Sequence, residues 1–321
     1  MKIIIDINGS DKGPGAIVKG AGQALEKYPE LGVVLVGKAE EASEFATQFA
    51  LPEGRYEILD AREAITNYDH PAEAIYKKQD ASMVVAMKAL SEREDLDGMI
   101  TTGNTGAVLA GCVRFLSLPD RVRPALAALI PDEKGSDTCL VDTGATVDCT
   151  PQMLHHFAHL GVEFMRKAYD IENPRVGLLS NGTEASKGNK LVKETYPLLE
   201  NDSELNFIGN VEGSSCFTGI CDVLVADGFA GNQVMKVTEG TYRRMITEVF
   251  TFAKKTGSKD AMQLGMSLMD RYDIGSLGGG YILGIQKPVI KARGNSGEKA
   301  IVSICGMFKN LAQHRTFYEK T

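Results

Sequence analysis

The stretch Val223-Leu224-Val225-Ala226-Asp227-Gly228-Phe229-Ala230-Gly231-Asn232, running on into residues 233–254, decides the fold class. Its first four residues are continuously apolar, as in a strand covered on both faces, and residues 233–254 carry a helical pattern. A strand, a glycine-bearing loop and a helix in that order make up half of a βαβ unit. The same order recurs along the chain. Ile3–Ile5, Val33–Val36, Met99–Thr102, Cys139–Val141 and Val176–Leu179 also read as buried strands. Ala16–Lys27, Ser82–Ser91, Pro151–Tyr169 and Asn189–Glu200 read as helices. One boundary is sharp, because Thr150 can cap a helix whose first residue is Pro151. The expected fold class is α/β, with a mostly parallel sheet flanked by helices.

The chain has 321 residues, enough for one large α/β domain or two lobes around a cleft. No low-complexity linker divides it, so residues 1–321 are read as one catalytic domain. Residues 251–280 break the βα rhythm with Lys254-Lys255, then Met262, Met266 and Met269 at helical spacing, then Gly278-Gly279-Gly280. This variable helical segment is expected to serve contact with a second copy or with a membrane. A formal charge of −7 argues against nucleic acid as a partner. Cys112, Cys139, Cys149, Cys216, Cys221 and Cys305 form no C-x-x-C pair and read as reduced thiols. The opening run Ile3–Ile5 is too short for a signal peptide, and the run Ala107–Val113 stops at Arg114, well short of a membrane span. A cytoplasmic location is expected.

Four strand ends run into loops containing Gly and Asn. They are Gly103-Asn104-Thr105-Gly106, Asn181-Gly182-Thr183 with Lys187-Gly188-Asn189, Asp227 through Asn232, and Arg293-Gly294-Asn295-Ser296-Gly297. In a parallel sheet such loops gather at the carboxyl ends of the strands, where ligands of open α/β folds bind. Glycine lets the backbone approach an anion, and the first N–H groups of the following helix are unpaired donors. Asparagine adds a donor and an acceptor without charge. One such loop would be a turn or a helix cap; four point to a phosphate or oxyanion site. No loop matches a P-loop or a dinucleotide fingerprint, so nucleotide binding is not indicated. Lys187 stands out as a cation in a glycine-bounded loop. Asp6, Asp11, Asp142 and Asp227 fall at strand ends and are read as ordering their own loops by accepting backbone N–H bonds rather than holding Mg²⁺. His155 and His159 lie one turn apart without an H-E-x-x-H glutamate and are read as ordinary helix histidines. Cys149 stays open as a nucleophile, with no histidine close to it in sequence. No metal and no cofactor are expected.

Taken together, these motifs resemble the bacterial phosphate acyltransferases, the acyl-carrier-protein:phosphate acyltransferases of phospholipid synthesis. The resemblance runs nearly end to end. It is carried by Asp6–Pro14, Pro71–Ala74, Lys78, Asp80–Val84, Gly103–Ala107, Arg123–Leu126, Asp142–Cys149, Glu172–Leu179, Lys187–Asn189, Asn206–Gly213, Asp227–Phe229 with Gly231-Asn232, and Val289–Ala292. It implies a three-layer α/β/α fold similar to the isocitrate and isopropylmalate dehydrogenases and to phosphotransacetylase. It also implies a homodimer, acyl-carrier protein as partner, and peripheral attachment to a membrane. The implied reaction is attack of phosphate on a thioester, with Lys187 and Asn232 at the reacting groups. Gly103, Asn104, Thr105, Gly106, Asp142, Asn181, Asp227 and Gly228 would line the anion site, and Arg114, Arg121 and Arg123 would meet the acidic carrier. A related transferase using coenzyme A or another short thioester is the alternative. The chain departs from the family pattern at Asn8-Gly9-Ser10-Asp11, at the less acidic Ser180–Ser186 run, and at the shortened 256–272 stretch.

Overall fold

The computed structural model describes residues 1–118, 123–272 and 279–312. In chain order the strands are β1 (Lys2–Asp6), β2 (Gly32–Gly37), β3 (Tyr56–Asp60), β4 (Gly98–Thr101), β5 (Ala125–Pro131), β6 (Asp137–Val141), β7 (Arg175–Ser180), β8 (Asn206–Glu212), β9 (Val223–Val225), β10 (Gly280–Leu283) and β11 (Val289–Lys291). The helices are α1 (Pro14–Lys27), α2 (Ala39–Gln48), α3 (Pro71–Lys77), α4 (Ser82–Glu92), α5 (Thr105–Phe115), α6 (Pro151–Tyr169), α7 (Lys190–Glu200), α8 (Gly228–Thr256), α9 (Lys259–Tyr272) and α10 (Glu298–Ala312). The chain divides into two compact units. The first holds Met1–Pro124, Lys167–Asp170 and the described residues from 279 onward; the second holds Ala125–Arg166 and Ile171 to Tyr272.

In the first unit the strands lie in the order β3-β2-β1-β4-β11-β10, all parallel except that β10 runs against β11. Ile3, Ile4 and Ile5 of β1 and Val33 to Val36 of β2 are fully buried. Unbroken apolar runs of this kind belong to strands covered on both faces. Burying each such side chain contributes about 1.5–3 kcal/mol. Helix α1 packs on α10 through Gly20, where an added Cβ would lie 2.8 Å from Ile301 Cβ. Helix α4 covers β1, β2 and β4, and α5 packs on α3 and α4.

In the second unit the order is β5-β6-β9-β7-β8, parallel except for the β5–β6 pair. The period of two along a strand sorts its two faces. Val141 and Val223 face α6, where a Cβ on Gly161 would come within 3.3 Å and 2.5 Å of them. Leu140 and Leu224 point the other way, into a buried cluster with Ile130, Val211, Cys216 and Cys221, and Val234 and Met235 of α8 close over it. The sheet of this unit is therefore the middle of three layers. Helix α6 begins at Pro151, as the sequence predicts, and Thr150 Oγ1 accepts from Met153 N at 3.3 Å.

Two boundaries differ from the sequence reading in an informative way. Gly228–Asn232 is not loop but the first turn and a half of α8, and Thr105-Gly106 is the first turn of α5. Glycine is a poor helix former, which hides such starts; here it is kept for close packing. The segment read as 251–280 comprises the end of α8, a left-handed Gly257 and α9, while residues 273–278 lie outside the described set. Gly265 of α9 sits against the Phe250 ring, and Val237, Met245, Phe252, Leu264 and Met266 are each half or more exposed. Among the described residues no helix is long and apolar enough to cross a membrane.

Candidate functional site

In the first unit, β1 ends on Asp6, only 2% exposed. Its carboxylate accepts from Ser82 Oγ at 2.7 Å, Thr101 Oγ1 at 2.8 Å and Asn8 N at 3.1 Å. Ser82 opens α4 and Thr101 closes β4, so one buried carboxyl ties two strand ends to a helix start. Burial lifts Asp6 to about 6, with those three hydrogen bonds pulling the other way. Asn8 Nδ2 donates to Ser82 Oγ at 3.1 Å, and Thr102 Oγ1 donates to Asn8 O at 3.1 Å. The loops after β1 and β4 touch backbone to backbone: Gly9 has φ +90°, and a Cβ there would lie 2.9 Å from Gly103 Cα.

The loop after β11 joins them. Asp11 N donates to Gly294 O at 2.7 Å, and Ser10 Oγ donates to Ser296 O at 3.1 Å. Two cations stand here that the sequence reading gave no role of their own, although Arg293 opens the fourth Gly/Asn loop. Lys12 Nζ lies 2.8 Å from where a Cβ on Gly297 would be, and burial pushes the Arg293 guanidinium below its ordinary value. Asn104 is the N-cap of α5: its Oδ1 accepts from Ala107 N at 3.1 Å, and its Nδ2 donates to Asn67 Oδ1 at 3.3 Å. Thr105 and Gly106 follow it as the first helical residues, and Gly103 N donates to Thr101 Oγ1 at 3.1 Å.

In the second unit the loop after β6 is organised by Asp142, which is fully buried. Its Oδ1 accepts from the backbone N–H of Leu126 at 3.0 Å, Gly144 at 3.2 Å and Ala145 at 3.0 Å, and its Oδ2 from Thr146 N at 2.7 Å. Burial raises its pKa, and these four bonds oppose the rise. The start of α8 lies directly on this loop. Gly228 N donates to Thr146 O at 2.9 Å, and a Cβ on Gly231 would fall 1.9 Å from Asp142 O. Asp227 caps α8 by accepting from Ala230 N at 2.9 Å. Asn232, half-buried on the next residue, has its Cβ and Cγ 4.0 Å from the position of a Cβ on Gly144.

The Lys187 loop belongs to the same unit. Asn181 Oδ1 accepts from Gly188 N at 2.8 Å, Lys187 N donates to Glu184 O at 2.9 Å, and Asn210 Nδ2 donates to Glu184 O at 2.8 Å. The stem of Lys187 passes over Gly182, where a Cβ would meet its Cγ at 2.8 Å, and the residue itself is exposed. Asn189 caps α7 by accepting from Val192 N at 2.9 Å. The hydroxyls of Thr146, Ser180 and Ser296 are buried without a hydrogen-bond partner among the described residues. Each lies at a strand end or in a strand-end loop, and each such orphan costs about 1–3 kcal/mol unless something supplies a partner.

The structure thus gathers Gly103, Asn104, Thr105 and Gly106 with Asp6, Ser82 and Arg293 in one unit. In the other it brings Asp142, Asp227, Gly228 and Asn232 to one loop–helix junction, and it holds Asn181 and Lys187 in a second loop. Ser82 and Thr146 lie inside motifs that carry the resemblance, and Thr101 inside a predicted strand, but the sequence singled out none of them as a site residue. Arg114 donates to Ile75 O at 2.8 Å and stacks over the Tyr76 ring at 4.3 Å. Arg123 is exposed, and Arg121 lies outside the described residues. Cys149 donates its thiol to Thr146 O at 3.2 Å.

Parallel α/β units whose strand-end loops offer glycine backbone, capped helix starts, asparagine amides and an exposed lysine define a class: α/β enzymes that handle anionic groups. The comparisons with known proteins make this particular. A family model described as "Fatty acid synthesis protein" matches residues 1–314. The phosphate acyltransferase of Dictyoglomus turgidum is 38% identical over 309 residues, covering 94% of this chain and 91% of that one. That of Halothermothrix orenii is 38% identical over 312 residues, covering 94% and 92%. The chain belongs to this fatty acid synthesis protein family, as its motifs lead one to expect, and it is an acyltransferase. Among solved structures, a phosphotransacetylase from Streptococcus pyogenes is similar with a TM-score of 0.64 and 19% identity, covering 97% and 94%. A 4-hydroxythreonine-4-phosphate dehydrogenase from Klebsiella pneumoniae gives 0.56 at 14% identity, covering 97% and 99%. These two likenesses concern the fold, and they agree with the dehydrogenase-like α/β architecture expected from the sequence.

Proposed function

We propose that the chain moves the acyl group of an acyl-carrier-protein thioester onto inorganic phosphate, early in phospholipid synthesis. The observation that carries this reading is the 38% identity to phosphate acyltransferases over 94% of the chain. A phosphate oxygen attacks the carbonyl carbon, the C–S bond breaks, and the proton carried by hydrogen phosphate ends on the carrier thiol. The balanced step uses no nucleotide. Phosphate is already a competent nucleophile, so the protein's work is positioning and stabilisation of the tetrahedral oxyanion.

Lys187 is assigned to the charge on the phosphate or the developing oxyanion, because it is an exposed ammonium on a loop pinned by Asn181, Glu184 and Asn210. Asn232 is assigned to the carbonyl oxygen, to which its amide can donate. Gly103, Asn104, Thr105 and Gly106 are assigned to an anionic group of the substrates through the N–H groups that open α5. Asp142, Asp227 and Asn181 would act indirectly, by fixing the backbone around which Gly228 and its neighbours are arranged. Arg114 and Arg123, with Arg121, are assigned to the acidic carrier protein. A homodimer built on the α8–α9 hairpin and a cytoplasmic protein touching the membrane surface complete the reading. Its support is the row of exposed apolar side chains on that hairpin.

The test is formation of acyl phosphate, trapped as the hydroxamate, from acyl-carrier protein or coenzyme A thioesters of several chain lengths. Phosphate-dependent product from the carrier-protein donor is expected, and its absence with every donor would overturn the proposal. A clear preference for coenzyme A would instead favour the short-thioester alternative. Lys187→Ala should lose about 100-fold or more in rate while unfolding in urea at the wild-type midpoint, since its side chain is exposed. Full activity in that variant would remove the lysine from the mechanism.

A further inference from the structure

Helix α6 carries His155 and His159 one turn apart, on one face. The sequence offers no third ligand nearby, but the fold does. Asp202, in the turn between α7 and β8, presents Oδ2 to both rings, 2.7 Å from His155 Nε2 and 2.8 Å from His159 Nε2. The potential ligand atoms of the three residues all lie within 4.8 Å of one another. The histidine side chains are 33% exposed and the aspartate 15%, so the group is reachable from solvent yet held. A cavity of about 600 Å³ opens onto it, and its wall also carries Asn201, Ser203 and Glu204. All of these residues belong to the second unit.

We propose that His155, His159 and Asp202 form a binding site for a divalent d-block cation of the zinc class. Two imidazoles and a carboxylate are a donor set that suits Zn²⁺, Co²⁺ or Ni²⁺; Mg²⁺ and Ca²⁺ prefer all-oxygen shells. Tetrahedral zinc, with bonds of about 2.0–2.2 Å, needs ligand atoms roughly 3.3 Å apart. The two imidazole–carboxylate contacts would therefore open by about half an ångström to admit the ion. Asp202 Oδ1 accepts from Glu204 N at 2.9 Å, which leaves Oδ2 facing the two rings. The three side chains fill three positions, and the opening to solvent leaves the fourth for water. An ion here would staple the second and third turns of α6 to the α7–β8 turn and so act on the stability of this unit. The inference rests on these side chains alone and stands whether or not the chain transfers acyl groups.

The probe is Co²⁺, titrated into untagged, chelator-washed full-length protein and followed by visible absorption. One equivalent should bind, with the visible bands of a four- or five-coordinate ion and without the intense near-ultraviolet band of a thiolate ligand. Zn²⁺ should displace it and raise the unfolding temperature by roughly 3–6 °C. Asp202→Asn, His155→Gln and His159→Gln should each weaken binding at least tenfold; any of the three that folds, by circular dichroism, gives the reading. Absence of stoichiometric Co²⁺ binding, a thiolate band, or unchanged affinity in the folded variants would overturn the assignment.

Discussion

The junction between the Asp142 loop and α8 can be tested with one methyl group. At Gly231 an added Cβ would lie 1.9 Å from Asp142 O, and real Cβ contacts essentially never fall below 3.0 Å. Both partners are backbone, so no side chain can swing away, and helix and loop must part by about 1.1 Å. Overpacking of this kind costs about 1–3 kcal/mol. The better helix propensity of alanine returns about 0.8–1.0 kcal/mol. Gly231→Ala should therefore lose about 0–2 kcal/mol net, where an unobstructed Gly→Ala in a helix would gain. Gly240 supplies the control, because it lies in the same helix with nothing within 4 Å of an added Cβ. Gly240→Ala should gain up to about 1 kcal/mol. Activity should fall further than stability in Gly231→Ala, since Asn232 is the next residue and moves with it. A displacement of about 1 Å at a positioning group can cost 100-fold. Urea unfolding and hydroxamate-trapped acyl phosphate formation read the two effects. Should Gly231→Ala behave like Gly240→Ala in both assays, the close packing of α8 on the Asp142 loop would be refuted.

Asp6 predicts a pH signature. Its folded pKa of about 6 stands above the ordinary 3.8, so the folded state holds the proton more tightly than the unfolded chain. Its contribution is fully present below pH 3.8 and is lost as pH rises through about 6, amounting to about 3 kcal/mol. Relative to Asp6→Asn, the wild type should lose stability between pH 4 and pH 6 and hold a constant difference above; a flat difference across that window in urea titrations would reject the shifted carboxyl. On the α8–α9 hairpin, Met245 is 59% and Phe252 58% exposed. If the hairpin joins two copies, Met245→Glu with Phe252→Glu should halve the mass seen by light scattering; a monomeric wild type or a dimeric variant would contradict that contact.

How much of this was legible in the sequence follows from where the determining interactions lie. Strands such as Val33–Val36 and Val223–Val225 declare themselves because both of their faces are buried. Strand β5, Ala-Leu-Ala-Ala-Leu-Ile-Pro, does not, because alanine and leucine favour helix and strand pairing, as with β6, makes it a strand. Strand β8 hides for another reason: Gly209 takes φ +95° and the register against β7 shifts there. The strand-end loops were visible as motifs, but their partnerships were not. Ser82 and Thr101 meet Asp6 across 76 and 95 residues, and Asp202 meets His159 across 43. Contacts between polar residues so far apart leave no periodicity and no spacing to read.

The proposed anion site, which includes Asp142 and Asp227, looks self-defeating until the direction of each carboxylate is considered. Asp142 spends its oxygens on four backbone N–H groups, and Asp227 caps the first turn of α8. Asp142 has both oxygens engaged, and Asp227 commits Oδ1 to its helix cap. Both charges are committed to holding Gly144–Thr146 and Gly228–Gly231 in one arrangement before any substrate arrives. Preorganisation of this kind is what electrostatic catalysis requires, since donors already in place need no rearrangement as charge develops. The division of labour then follows. The carboxylates, Asp142 buried and Asp227 half-buried, shape the backbone, whereas the proposal gives half-buried Asn232 and exposed Lys187 the reacting oxygens. On this reasoning Asp142→Asn would act through the shape of its loop, and Lys187→Ala through charge alone.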